Sequence, residues 1–333
     1  MNINLREMWR QGVESIRLAH RSLETEKVGT LRGGNSGALL PDGRIIGKCH
    51  RLTRLRMDGI EVEEPSKDRL IMFEAGLANE DIWDKVLRSG DLNGYSILRE
   101  EEVPTKWTTT SGINVTGRPD LVLADKESGE HKLGLEFKMA ASLWTARDVL
   151  IQRKPKLPHL IQAAHYAQQL SIPFKLVYTS YVDFPVMGWA QKLMGKLNPR
   201  EYPVQVDDKT GLVKKVLPFI KIYDLNWEGK GGTLQWKEES GSQWTDTGMK
   251  WSNIQAYYEM VGYQAQTEDL GPRPSNVDAK MEHKKGWHFC DYCPLSDACD
   301  KYDKGHKNYS KWREDVLSIS VYNHTSQLSD GEE

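Results

Sequence analysis

No stretch of this 333-residue chain stays apolar for long enough to span a membrane. The opening segment, Met1 to Glu7, lacks the apolar core of a secretory signal, so the expectation is a cytoplasmic protein with no membrane partner. There is no Gly-x-x-x-x-Gly-Lys-Ser/Thr phosphate loop, which excludes a P-loop motor among its motifs. No internal repeat is visible, which argues against a solenoid. Global basicity is also missing. The net charge is -2, so a nucleic-acid partner has to be held by local basic patches and metal ions. Cysteine is scarce, with four residues in all, and three of them are crowded together.

Two local basic patches are present. Arg44, Lys48, Arg51, Arg54 and Arg56 form one, with acids only outside it at Asp42 and Asp58. Arg147, Arg153, Lys154 and Lys156 form the other. Each reads equally well as a solvated face or as a phosphate contact. Trp144, Trp236, Trp244 and Trp251 could stack on unpaired bases, although core packing is the commoner role for such residues.

Helical spacing is expected in residues 1–30, followed by a glycine-rich loop over Leu31–Asp42. A helix over Ser66–Arg88 is expected to bury Ile71, Ala75, Ala78, Ile82 and Val86. Strands are expected at Tyr95–Pro104, Asn114–Ala124 and Lys132–Lys138, then a helix at His159–Leu170 and a strand at Phe174–Val182. This order gives an α/β layer architecture. Phe219–Leu225 and Thr233–Lys237 read as strands within an insertion, and Trp251–Gln266 reads as a helix. The expected division is an N-terminal helical segment (1–64), a core (65–184), an insertion or subdomain (185–276), a cysteine segment (277–325) and a disordered tail (326–333).

The most telling residues lie in His131–Met139. Alternation puts Glu136 and Lys138 on one face of that strand and Leu133, Leu135 and Phe137 on the other. Asp120 opens the preceding strand, after Arg118 and Pro119. Two acids on neighbouring strands can converge on Mg²⁺ or Mn²⁺, which prefer hard oxygen ligands. A lysine beside them can orient or help deprotonate a water and offset phosphate charge. The competing reading is a surface salt bridge of little energetic worth.

Cys290, Cys293 and Cys299 form a C-x2-C-x5-C array, and Cys49 is the remaining thiol. Clustered thiols in a cytosolic chain favour metal over disulfide. Four thiolates could hold zinc or a 4Fe–4S cluster. His50 and His288 adjoin the array as neighbours.

The order Pro119-Asp120, Glu136-x-Lys138, then Gln162-x-x-x-Tyr166 resembles the RecB-like branch of the PD-(D/E)XK nucleases. One cysteine before the core and three after it resemble the iron–sulfur members, such as AddB-type nuclease domains and CRISPR spacer-acquisition nucleases. The resemblance covers about residues 45–180 and 285–300. It implies a restriction-endonuclease-like core, a mixed central sheet flanked by helices, with an iron–sulfur region joining the N- and C-terminal segments. It implies catalysis by Asp120, Glu136 and Lys138, with Gln162 and Tyr166 bordering the site. Glu80, four residues after Gly76, stands where relatives carry an extra metal ligand, often His, and Glu74 is its rival. Cys49, Cys290, Cys293 and Cys299 are implied as 4Fe–4S ligands in preference to zinc. Arg51, Arg54, Arg118 and Arg153 are the candidate DNA contacts. The implied activity is a Mg²⁺- or Mn²⁺-dependent exonuclease acting on DNA ends in recombination, replication or phage-type processing, in the host cytoplasm if phage-encoded. Unwinding would come from a helicase or recombination partner. The alternatives are endonucleolytic trimming in spacer acquisition and a non-catalytic DNA-binding module.

Overall fold

The computed structural model describes residues 29–60, 67–90, 92, 94–228, 232–267, 270–271, 293 and 295–305. The expected N-terminal helix over its first 28 residues, Cys290, His288 and the C-terminal tail lie outside the described residues. The chain divides into two units. One comprises Met1–Leu70, Lys106–Thr116 and Ser252–Glu333; the other comprises Ile71–Thr105 and Gly117–Trp251.

In the first unit, the region expected to be a glycine-rich loop forms short strands β1 (Leu31–Arg32), β2 (Gly37–Leu39) and β3 (Ile45–Gly47). Helix α1 (His50–Met57) follows, and α2 (Lys67–Ser89) begins here and continues into the second unit. Strands β4 (Tyr95–Arg99), β5 (Thr105–Thr108) and β6 (Asn114–Gly117) come next along the chain. β6 lies between β1, its parallel partner, and β5. The expected strand over 95–104 thus ends early, at Arg99, and the one expected over 114–124 is broken after Gly117. The tyrosines of the later helix over 251–266 fill this unit's core. Tyr257 closes onto Gly37, where an added Cβ would lie 2.6 Å from the ring, and its hydroxyl meets Thr53 Oγ1 at 2.7 Å. Tyr258 donates to the Arg32 carbonyl at 2.9 Å.

The second unit is built on a mixed seven-stranded sheet. After β7 (Leu121–Asp125) and β8 (His131–Met139) the chain runs through α3 (Leu143–Ala146), a π-helical turn (Arg147–Ile151) and α4 (Leu157–Leu170) into β9 (Phe174–Ser180). β10 (Phe184–Pro185), α5 (Trp189–Met194), β11 (Val204–Val206) and β12 (Val213–Val216) follow; the three strands form a small separate sheet. β13 (Phe219–Trp227), β14 (Thr233–Glu238) and β15 (Thr245–Lys250) complete the large sheet, in the order β15-β14-β13-β9-β8-β7-β4. α6 (Trp251–Gln266) and α7 (Ser296–Gly305) follow. Among the described residues of the large sheet only β8 and β9 pair in parallel, and a helical crossover joins them. The stretch 185–276 is therefore not one separate insertion: β13 pairs with β9 along its length and extends the central sheet.

Helices cover both faces of the sheet. On one, Leu121, Leu135, Phe137 and Val177 form a core against α2, whose Trp83 stacks on Phe137 with ring centroids 5.3 Å apart. The Trp83 Nε1–H also donates to Thr179 Oγ1 at 2.9 Å. This corrects the expected phase of α2. Ala78, Ile82 and Val86 are exposed, and the inward line runs through Asn79 and Trp83. On the other face α4 buries Leu160, Ile161 and Ala164. The Trp227 Nε1–H donates to the Ala164 carbonyl at 3.1 Å and ties α4 to β13. Among the described residues no helix is long and apolar enough to cross a membrane.

Candidate active site

Strand register brings the motif residues together. Leu121 of β7 faces Leu135 of β8 in antiparallel pairing. One residue further along that register, Asp120 stands opposite Glu136. The placement is held by a hydrogen bond in which the Phe137 backbone N–H donates to Asp120 Oδ2 at 2.6 Å. Alternation then sets Glu136 and Lys138 on the face opposite Leu135 and Phe137. Lys138 Nζ donates to Glu136 Oε1 at 2.5 Å. The pair is not a surface salt bridge, since Glu136 is fully buried.

Two close approaches fix the backbone here. Gly134 lies against Phe174 of β9; a Cβ on it would sit 2.1 Å from the ring. Gly117, three residues before Asp120, is covered by Tyr166 of α4, and a Cβ there would come within 2.4 Å of Cε1. Tyr166 is buried and packs over the turn that leads to Asp120. Gln162 is half-buried one turn earlier on the same helix.

The electrostatics join a fourth group to these three. Burial raises the Glu80 pKa to about 8, reinforced by the charges of Asp120 and Glu136. Burial likewise raises Glu136 to about 8, with Asp120 adding to the effect and Lys138 opposing it. Asp120 is raised by burial, against the pull of Lys138 and the Phe137 N–H. Burial draws the Lys138 pKa down, but Glu136, Asp120 and Glu80 together leave it above its ordinary value. The cluster thus holds one firm cation and more acid than that cation balances. Glu80, rather than Glu74, is the α2 carboxylate within electrostatic reach of Asp120 and Glu136. Sequence reasoning did not single out Glu100, an exposed residue after β4 whose charge also raises Glu80, Asp120 and Glu136. It belongs to no motif that would have marked it.

Glu136 Oε2 is buried and accepts no hydrogen bond among the described residues. A buried carboxylate oxygen without a partner is costly unless a proton or cation meets it. Hard oxygen donors beside it suit Mg²⁺ or Mn²⁺. Among the described residues no three His, Cys, Asp or Glu side chains are already drawn together as a metal cage. Carboxylates repel one another, and here Lys138 closes on one oxygen of Glu136.

The expected DNA contacts separate into two groups. Arg51 and Arg54 are buried in the first unit and do not face solvent, which corrects their expected role. Arg51 pairs with Asp303 at 2.9 Å, donates through Nε to the Gly271 carbonyl at 2.9 Å and lies over the Tyr302 ring. Arg54 pairs with Asp58 one turn on. Arg118 is exposed next to buried Pro119. Arg153 is exposed, with Nε 3.7 Å from Glu238 Oε1, and lies over the Tyr202 ring. Trp236 packs edge-on to Tyr223, Trp251 sits against His165 and Trp227, and Trp244 lies near Lys237. Trp144 is exposed against Trp189.

Three of the four cysteines are described, all in the first unit. Cys49 is the N-cap residue of α1. Cys293 and Cys299 pack in a cluster that contains Leu52 and Leu55, residues of the same helix, together with Leu270, Leu295 and Tyr302. Tyr302 ties this cluster together by accepting from the Leu270 N–H at 2.9 Å. No protein-family model and no curated protein matches the chain.

Proposed function

We propose that the chain is a metal-dependent deoxyribonuclease of the RecB-like PD-(D/E)XK type, acting from DNA ends. The observation that carries this reading is the buried Glu136, with Lys138 on one oxygen, no partner on the other among the described residues, and Asp120 held opposite by the Phe137 N–H. A surface ion pair has no need of full burial or of a surplus of acid around it. Asp120, Glu136 and Glu80 would hold Mg²⁺ or Mn²⁺, which when bound activates water and offsets charge at a phosphate. Lys138, kept cationic by three acids, would orient the attacking water and meet the phosphate's charge. Tyr166 and Gly117 fix the approach of Asp120. Arg118 and Arg153 are exposed cations available to the DNA backbone.

The same proposal includes a 4Fe–4S cluster on Cys49, Cys290, Cys293 and Cys299. Its support is the convergence of Cys293 and Cys299 on the helix that Cys49 caps. Thiolates are soft donors suited to iron and sulfide, and in this position they would serve folding rather than phosphate chemistry. A helicase or recombination protein would supply any unwinding.

The test compares linear single-stranded, linear duplex and covalently closed circular DNA with Mg²⁺ or Mn²⁺. Linear DNA is expected to be consumed to short products while circles survive. Rapid cutting of circles would favour endonucleolytic trimming, and binding without cleavage would favour a non-catalytic module.

A further inference from the structure

We infer that Glu100 is a metal ligand that shares with Asp120 a second Mg²⁺ or Mn²⁺ position, beside the one formed by Asp120, Glu136 and Glu80. The inference rests on the nuclease reading and extends its metal site to a residue outside every motif. Strand register puts three acids in a row across β4, β7 and β8. Arg99 pairs with Leu121, and Leu121 pairs with Leu135. One residue further along both pairings, Glu100 stands beside Asp120 and Asp120 beside Glu136. Adjacent strands lie about 4.8 Å apart. The ions of two-metal sites lie about 3.5–4 Å apart. The row thus has room for one ion on each side of Asp120.

Glu100 separates from the acids that follow it. Glu100, Glu101 and Glu102 all come directly after β4, and all are exposed. Glu102 turns back on the strand, where its Oε2 accepts from the Arg99 N–H at 2.7 Å. Glu101 bears on the Arg99 side chain, which reaches Asp81 and Asp84 of α2. The charge of Glu100 bears instead on Glu80, Asp120 and Glu136. It is therefore the member of the run that faces the site.

The chemistry of the row fits hard cations. Lys138 opposes the acids, but it is already closed on Glu136 Oε1 at 2.5 Å. Glu136 is fully buried, and its Oε2 has no hydrogen-bond partner among the described residues, so a first cation is called for there. Asp120 can serve that ion and a neighbour. A carboxylate offers about four acceptor sites, and the Phe137 N–H on Oδ2 takes only one of them. Glu100 supplies the further oxygens at the exposed rim. Mg²⁺ keeps several of its waters and takes one or two carboxylates plus phosphate oxygens, so an open pair suits it better than a closed cage. When bound, a second ion supplies charge for the leaving oxygen of a phosphodiester.

The experiment titrates Mn²⁺ into the full-length chain without DNA and follows free and bound ion by electron paramagnetic resonance. Wild type is expected to bind a pair of Mn²⁺ with the broadened spectrum of spin-coupled neighbours. Glu100→Gln, at an exposed position that keeps its size, should bind a single Mn²⁺ with no coupling, the other weakened by about tenfold or more. Glu101→Gln removes the same charge one residue away and should keep the coupled pair. Asp120→Ala should lose both ions, which assigns them to the row. A single Mn²⁺ on wild type would overturn the inference, as would a coupled pair retained in Glu100→Gln. Equal loss in Glu101→Gln would also overturn it, since nearby charge alone would then suffice. If wild type cleaves linear DNA with a single Mn²⁺, Glu100 drops out and the nuclease reading stands. If the pair falls to a single ion in Glu100→Gln but wild type cleaves no DNA, the nuclease reading falls and the Glu100 site stands.

Discussion

Glu136→Gln separates the electrostatic cost of the site from its use. The wild-type carboxyl is fully buried and its pKa is raised to about 8, chiefly by burial and then by Asp120. In the unfolded chain the same group titrates at its ordinary value of 4.5. Between those values the folded chain binds more protons than the unfolded one, so stability falls as pH rises through the window. At pH 7 folding must take up a proton across 2.5 units, a cost of about 3 kcal/mol relative to pH 4.5. Glu80 is raised in the same direction and adds to the slope. A glutamine keeps the shape and an oxygen for Lys138 but never ionises. Lys138 keeps the charge of Asp120 beside it. The variant is therefore expected to be more stable than wild type by about 1–3 kcal/mol at pH 7–8, and equal to it near pH 4.5. Urea melts from pH 5 to 8 without added divalent metal read this directly. Cleavage should be lost in the same variant, so stability and activity move in opposite directions. A variant less stable than wild type at pH 8 would refute the reasoning, since it would mean that Glu136 is ionised and its pair with Lys138 holds the fold together.

Two further outcomes follow from packing and ligation. Gly117→Ala places a methyl 2.4 Å from Tyr166 Cε1 and 3.0 Å from Thr105 Oγ1, and should cost about 1–3 kcal/mol in urea melts. Adding Tyr166→Leu should recover part of that loss, and additive losses in the double variant would show that the two residues do not meet. Cys49→Ala should abolish visible absorbance and lower iron and sulfide content and stability together. One zinc per chain in anaerobically prepared wild type, with no iron, would replace the cluster by a zinc site and leave the carboxylate site as it is.

Local alternation made the β8 site legible. Glu136 and Lys138 against Leu135 and Phe137 is a period-two pattern that only a strand satisfies, and the structure places those faces accordingly. α4, β9, β13 and α6 were also readable from short-range pattern, to within a few residues at their ends. What could not be read was long-range. Phe219–Trp227 looks like a strand, but no sequence rule says that it pairs with Phe174–Ser180. The phase of α2 was misread because apolar residues occupy both of its faces. Trp83 wins the inward position through its stack on Phe137 and its bond to Thr179, leaving Ile82 and Val86 in solvent. Arg51 and Arg54 looked like phosphate ligands because their partners, Gly271, Asp303 and Asp58, are recognisable only in three dimensions. Tyr166 was legible as a helix-face neighbour of Gln162, but its closure on Gly117 was not.

The central claim is that Asp120, Glu136 and Lys138 carry metal-dependent cleavage. Its most direct test is hydrolysis of end-labelled linear DNA in Mg²⁺ or Mn²⁺ by wild type and by Asp120→Ala, Glu136→Ala and Lys138→Ala, each checked for folding by circular dichroism. The account predicts no products from the first two variants and a rate reduced by about a hundredfold or more in the third. Cleavage by folded Glu136→Ala at the wild-type rate would contradict it.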